Sequence, residues 1–355
     1  MRIALVASPV SPLLHAQANG PQSVIVDLAH GLSARGHAVK VYAAAGSVLV
    51  GIDVAEVAVD RAAAGAAVRV GEAAPADATA ALNRSFETLF AHVRHDGPDA
   101  ISQHAFDAIA FELADGLPVL HTLHLPPLSA SIVASVRRTR DRLATVSLAA
   151  QQQWQGATGR DISVLPNGVP DLERAPGAVM PIALIAGRIS PEKGTDTAIR
   201  VARRAGLAVV VAGDVYDSDY YVDSVEPLLR PREWIGPVSR AELFQLMARC
   251  AVLLMPVRWD EAFGLVAAEA QMAGCPVVAY RRGALAEVVR HGSGGWLVDP
   301  GDEEALVSAV YRARTLDRDS IRRRARAELG VDRMVDAYER ALRSVASGAP
   351  VEMAS

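Results

Sequence analysis

The stretch Pro181-Ile182-Ala183-Leu184-Ile185-Ala186-Gly187-Arg188-Ile189-Ser190-Pro191-Glu192-Lys193-Gly194-Thr195-Asp196 decides how the chain is read. Its first six residues form an apolar run without polar alternation, as in a strand covered on both faces. A glycine-bounded loop with two cations follows, and Thr195 and Asp196 are residue types that begin helices. Such a strand–loop–helix junction leaves backbone N–H groups unpaired at the positive end of a helix dipole. With Arg188 and Lys193 beside them, those amides suit a diphosphate. A surface loop with solvated charges is the competing explanation of the same residues.

The rhythm continues outward. Ala208–Ala212, Val252–Pro256, Pro276–Ala279 and Gly295–Val298 read as further strands beside Pro181–Ala186. Helices are expected at Asp196–Ala205, Arg240–Arg249, Leu265–Ala273, Ala284–His291 and Glu303–Thr315. The first half repeats the scheme, with strands at Arg2–Ala7, Ala38–Ala43, Ala100–Gln103, Val119–Leu123, Leu143–Val146 and Ser163–Leu165. Val24, Leu28 and Leu32 recur at helical spacing within Ser23–Arg35, which Gly36 would close. Alternating strands and helices predict α/β architecture with two Rossmann-like parallel-sheet domains facing a central cleft. We expect an N-terminal domain over residues 1–172, a C-terminal one over 173–330, and a last helix, residues 331–346, packing back on the first. Asp171–Met180, with Pro176 and Gly177, suits the linker, and Ala55–Ala81 reads as loop with some helix.

Length and composition agree with two domains: 355 residues exceed one ordinary core, and 51% are apolar. The net charge of -4 excludes broad nucleic-acid binding, which calls for a basic excess. Cys250 and Cys275 are expected as buried free thiols. No Cys/His spacing suits a metal, since His121 and His124 form an HxxH lacking a third ligand. The start MRIALVASP enters a strand without a signal peptide, and no apolar run is long enough to span a bilayer, so a cytoplasmic protein is expected. The basic segments at Arg137–Arg142 and Arg322–Arg326 read as solvated helix faces, and membrane association is not expected. A dinucleotide-dependent oxidoreductase fares badly. No GxGxxG follows the first strand, and Ala7-Ser8-Pro9-Val10-Ser11-Pro12 could not make that turn.

A second cluster is more specific. Pro256-Val257-Arg258-Trp259-Asp260-Glu261-Ala262-Phe263-Gly264 follows an apolar strand and precedes the helix with Glu269. Glu261, in the loop, can reach substrate hydroxyls. Glu269, a turn into an otherwise apolar helix, can accept from a vicinal diol such as a ribose.

GRxxPEKG followed by ExFGxxxxE, as Glu261-Ala262-Phe263-Gly264-Leu265-Val266-Ala267-Ala268-Glu269, resembles the retaining GT-B glycosyltransferases of family GT4. Weaker matches run along the chain: Gly20, Arg35-Gly36-His37-Ala38-Val39, His124, Ser147, Leu165-Pro166-Asn167-Gly168-Val169, Trp234-Ile235-Gly236 and Gly274-Cys275-Pro276-Val277-Val278. The resemblance implies that Arg188 and Lys193 bind the donor diphosphate and that Glu269 holds the ribose. It implies that Glu261 and Ala262, with the amides of Phe263, Gly264 and Leu265, position the transferred sugar. Gly20 would approach the sugar phosphate, His124 the reacting carbon, and Trp234 and Ile235 the base. Asn19-Gly20-Pro21 departs from the paired glycines usual in the family, which leaves that loop's geometry open.

The implied reaction is a retaining, metal-independent transfer from a nucleotide sugar, a UDP-sugar before a GDP-sugar, to a small-molecule hydroxyl acceptor, with no cofactor. No partner carboxylate for Glu261 suggests a covalent intermediate, so same-face displacement is expected. A GT-B phosphorylase, a nucleotide-sugar epimerase and a non-catalytic nucleotide-sugar-binding protein remain the alternatives. The acceptor would be chosen by Ser8–Pro21, including His15 and Gln17, and by Asp60–Ala81.

Overall fold

The structure is a computed structural model and describes residues 1–14, 20–58, 76–175 and 177–348. His15, Gln17 and Asn19, and residues 60–75 of the expected acceptor loop, lie outside the described residues. The chain divides into two units, Met1–Pro166 with the chain from Asp332 onward, and Asn167–Val331.

In the first unit the strands are β1 (Arg2–Val6), β2 (Ala38–Ala44), β3 (Asp53–Val57), β4 (Ala100–Gln103), β5 (Val119–Leu123), β6 (Arg142–Thr145) and β7 (Ser163–Val164). Among the described residues they form one parallel sheet in the order β3-β2-β1-β4-β5-β6-β7. The helices are α1 (Gly20–Ala34), α2 (Ala76–Asp96), α3 (Ala108–Ala114), α4 (Ala130–Arg138) and α5 (Leu148–Thr158). β1 is buried from its second residue on, as a central strand covered on both faces must be. α1 turns Val24, Ile25, Leu28 and Leu32 inward. Ser147 caps α5 by accepting from the Ala150 amide, and Gly159 closes it in the left-handed region.

The second unit has β8 (Met180–Ala186), β9 (Ala208–Ala212), β10 (Cys250–Met255), β11 (Val277–Tyr280) and β12 (Gly295–Val298). Its described strands are parallel in the order β12-β11-β10-β8-β9. Around them lie α6 (Thr195–Arg204), α7 (Arg240–Arg249), α8 (Leu265–Met272), α9 (Glu303–Ala313) and α10 (Arg318–Leu329). α7 opens with a capping box between Ser239 and Glu242. The final helix, α11 (Val331–Ser347), returns the chain to the first unit. There Arg35 pairs with Asp336 at 2.6 Å and Glu339 at 2.8 Å, and the Tyr338 hydroxyl donates to Thr122.

Several expectations need correcting. β3 lies where a loop was expected, because Val54 and Ala55 pair with Val41 and Tyr42 and so extend the sheet. The expected helix Ala284–His291 is a single turn, Leu285–Val288, since the chain turns to enter β12. The basic run on α10 is not simply solvated. Arg322 is buried against Asp171, and Arg324 bonds Gln271 and Glu328, so these side chains fasten neighbouring chain to the helix. Cys250 and Cys275 are free and buried, with sulfurs 3.3 Å apart. Among the described residues no helix is long and apolar enough to cross a membrane.

Candidate active site

In the second sheet the chain runs β8 to β9 on one side and then crosses to β10 on the other. The order therefore reverses between β8 and β10, and ligands of open α/β sheets bind beyond the carboxyl ends at such a reversal. The two singled-out loops leave the sheet there, one after β8 and the other after β10. Both line a cavity of about 40 Å³, with Gly187, Arg188, Lys193, Met255, Glu261 and Val266 among its walls.

Their packing depends on Gly194. Its φ is +68°, and a Cβ there would sit 2.2 Å from the Pro256 carbonyl oxygen. With no side chain in the way, the Arg258 amide reaches the Glu192 carbonyl at 2.8 Å, stitching loop to loop.

The cations are each held by a carboxylate. Arg188 donates from Nε and Nη2 to Glu192 Oε1, at 2.9 and 2.6 Å. Burial raises the Glu192 pKa, but hydrogen bonds within its loop and the Arg188 charge outweigh this and hold it below the ordinary value. Lys193 Nζ donates to Glu261 Oε2 at 2.9 Å, and Trp259 Nε1 donates to the same oxygen at 2.6 Å. The Trp259 ring lies 4.7 Å from Lys193 Nζ and 5.6 Å from the Arg188 guanidinium, with Tyr216 4.7 Å from the latter. Two cations, an orienting carboxylate and an aromatic plate thus share one site. Neither Glu192 nor Trp259 was singled out from the sequence. An acidic neighbour within a basic loop and a tryptophan two residues before Glu261 were the available signals.

α8 begins at Leu265, after Gly264 in the left-handed region (φ +93°), so its first-turn amides have no acceptor within the helix. Glu269 lies one turn on and accepts from Arg240 Nε at 2.8 Å. Ala262 and Phe263 are buried beneath the loop. Trp234 and Ile235 are exposed beside β9, where Trp234 Nε1 donates to the Gly213 carbonyl and the Ile235 amide to the Val211 carbonyl. Among the described residues no group of three His, Cys, Asp or Glu side chains could hold a metal ion.

His124 and Gly20 belong to the first unit. That sheet reverses order between β1 and β4. Gly20 is the first residue of α1, and His124 follows β5. His124 is buried, its Nε2 2.8 Å from His104 Nδ1, and burial pushes its pKa down to about 4. His121 is set apart: it bonds Asp141 at 3.1 Å and stacks on Phe111. Also missed by the sequence reading are His104 and Asp107, just beyond β4. Burial raises Asp107 to about 6, against a hydrogen bond from Ser8.

The family model for glycosyl transferases group 1 matches residues 178–328, and that for glycosyltransferase family 4 matches residues 18–173. A glycogen synthase of Mycobacterium tuberculosis is 29% identical over 263 residues, 65% of this chain and 63% of that protein. The chain therefore spans a little under two thirds of that curated relative's length. Among solved structures, AviGT4, a glycosyltransferase involved in avilamycin A biosynthesis, is similar with a TM-score of 0.74 at 22% identity, over 98% of this chain and 99% of its own. HepE of Anabaena, solved with UDP and glucose, gives 0.76 at 19% identity over 97% and 100%. At those identities the likeness is one of fold, the two parallel-sheet domains of the GT-B class.

Proposed function

Because the chain belongs to the group 1 glycosyltransferases of family 4, we propose that it moves a glycosyl group from a nucleoside-diphosphate sugar to a hydroxyl of a small-molecule acceptor. The observation that carries this reading is the pairing of Arg188 and Lys193 around one cavity at the β8–β10 reversal, with Glu261 beside it. Cleaving a glycosyl phosphate bond puts negative charge on the departing diphosphate. Arg188, Lys193 and the first amides of α8 supply fixed positive charge for it. The same charge makes a divalent cation unnecessary, so turnover is expected to survive EDTA.

We assign Glu269 to the ribose hydroxyls, and Gly264 and Leu265 amides with Glu261, Ala262 and Phe263 to the transferred sugar. Trp234 and Ile235 would flank the base, and Gly20 and His124 would face the sugar and its phosphate. Glu261 accepts from both Lys193 and Trp259, which suits orientation better than attack on carbon. The transfer is then a same-face displacement with retention. The anomeric C–O bond to phosphate breaks as the acceptor oxygen bonds that carbon, and the acceptor proton passes to the departing phosphate.

A UDP-sugar is favoured by the UDP in the HepE complex, and a small acceptor by the natural-product setting of AviGT4. A thermal-shift panel of UDP- and GDP-sugars tests the donor, because a ligand of the native state raises the melting temperature. NMR of the product's anomeric proton tests retention. No shift with any nucleotide would sink the donor site, and an inverted product or a trapped glycosyl-Glu261 would sink the mechanism.

A further inference from the structure

We infer that His104, oriented by Ser102, is a positioning residue that fixes His124 as its Nδ1–H tautomer, so that His124 offers a hydrogen-bond donor and not a base. The argument begins at Ser102, fully buried on β4. Among the described residues its hydroxyl has one partner, His104 Nε2 at 2.8 Å. A buried hydroxyl must give its proton to an acceptor, and the imidazole nitrogen is the one in reach. His104 Nε2 is then bare, and the proton of the neutral ring sits on Nδ1. That nitrogen lies 2.8 Å from His124 Nε2, so it donates there, and His124 Nε2 is bare in turn. The His124 proton is left on Nδ1, which has no partner among the described residues. Running the chain backwards would leave the Ser102 hydrogen without an acceptor.

The packing holds this relay in place. The two imidazoles have centroids 5.1 Å apart and planes within 24°, the near-coplanar, edge-on pose that a ring-to-ring hydrogen bond needs. Tyr338 of α11 stacks on His104 at 5.8 Å, and its hydroxyl is tied to Thr122 on β5. Both imidazoles are buried, and burial also holds them neutral. Among the described residues no carboxylate touches either ring to stabilise a protonated form, since Asp107 faces Ser8 and Asp141 faces His121. Resting on the proposed transfer, the consequence is specific. His124 donates to an oxygen of the bound sugar, while the acceptor proton leaves by the phosphate.

Long-range ¹H–¹⁵N correlation of the full chain labelled at histidine nitrogens reads the tautomer directly. The expected spectrum has a protonated Nδ1 and a bare Nε2 for His124, unchanged down to about pH 5 and assigned by loss of its signals in H124Q. A protonated Nε2, or titration near the ordinary imidazole value, overturns the inference. Kinetics supply the second arm. H104N keeps an N–H aimed at His124 and should stay within about threefold of the parent in kcat. H104L removes the donor and should lower kcat about tenfold, the worth of one neutral hydrogen bond, with the donor KM little changed. It should also move the acidic limb of the pH–rate profile upward, which a merely structural defect would not do. Equal kcat and pH profile for H104L and parent overturn the positioning role. If no donor is turned over, the proposed transfer fails, and the tautomer spectrum still decides this inference.

Discussion

Arg188 and Lys193 are cations already spoken for by Glu192 and Glu261, so in the proposed donor site a diphosphate would compete with carboxylates for them. The two pairs differ in consequence. On the proposed reading Glu261 positions the sugar, and Lys193, held by Glu261 and facing Trp259, would turn from that carboxylate to the phosphate. K193A should therefore lower kcat about 10²–10³-fold, the usual cost of one group that stabilises a departing anion, with a smaller effect on UDP affinity by calorimetry. An equal loss in both would mean that Lys193 only binds. Glu192 is different, because on the proposed reading its charge would repel the diphosphate that Arg188 attracts. E192Q should bind UDP severalfold tighter at low salt, the gain fading as salt screens the repulsion; weaker binding would show that Glu192 instead orients Arg188. The placement of the basic residues was legible because a loop between an apolar strand and a helix start can be read from the residue pattern. Their carboxylate and tryptophan partners were not, since χ angles and the approach of two loops choose them, and spacing encodes neither.

At the scale of elements, α11 shows what a periodic pattern can and cannot tell. Met334, Val335, Tyr338 and Leu342 recur at helical spacing, and all four are buried. The residue that receives Val335 is Gly31 on α1, and a missing side chain leaves no pattern to read. A Cβ at Gly31 would lie 2.3 Å from Val335 Cγ2, and a branched side chain with no exposure cannot swing aside. G31A gains about 1 kcal/mol in helix propensity but incurs an overpacking cost of about 1–3 kcal/mol. The net expectation is a melting temperature lower by about 2–4 °C, recovered in part by the double variant G31A/V335A. A G31A more stable than the parent would mean the helices separate freely. β3 was missed for a related reason. Asp53–Val57 is short and edge-placed, and its evidence is pairing to β2 rather than any run of its own.

Across the whole molecule, the two parallel sheets could be read from apolar runs, but their order could not. Only the observed crossings put one reversal between β1 and β4 and the other between β8 and β10, and the reversals decide which loops meet. Near the first reversal, buried titratable groups pull stability in opposite directions. His104 and His124 have folded pKa values below the ordinary 6.5, so the unfolded chain binds more protons as the solution is acidified, and stability falls from about pH 6.5 toward 4. For His124 alone the shift to about 4 corresponds to about 3 kcal/mol at full protonation of the unfolded chain. Asp107 has the reverse sign. Its carboxyl, raised from 3.8 to about 6, is the group the native state protonates first, so it costs stability as pH rises through that window and the cost persists above it. Between pH 4 and 6 two imidazoles outweigh one carboxyl, and stability should still climb with pH, though less steeply than the histidines alone would dictate. D107N removes the opposing group while leaving an acceptor for the Ser8 hydroxyl. It should raise the melting temperature at pH 7.5, raise it by only about a third as much at pH 4.5, and steepen the rise between them. Melting curves of parent and variant across that range check all three, and a D107N that is less stable at pH 7.5 would show that the ionised carboxylate is held by partners that outweigh its burial.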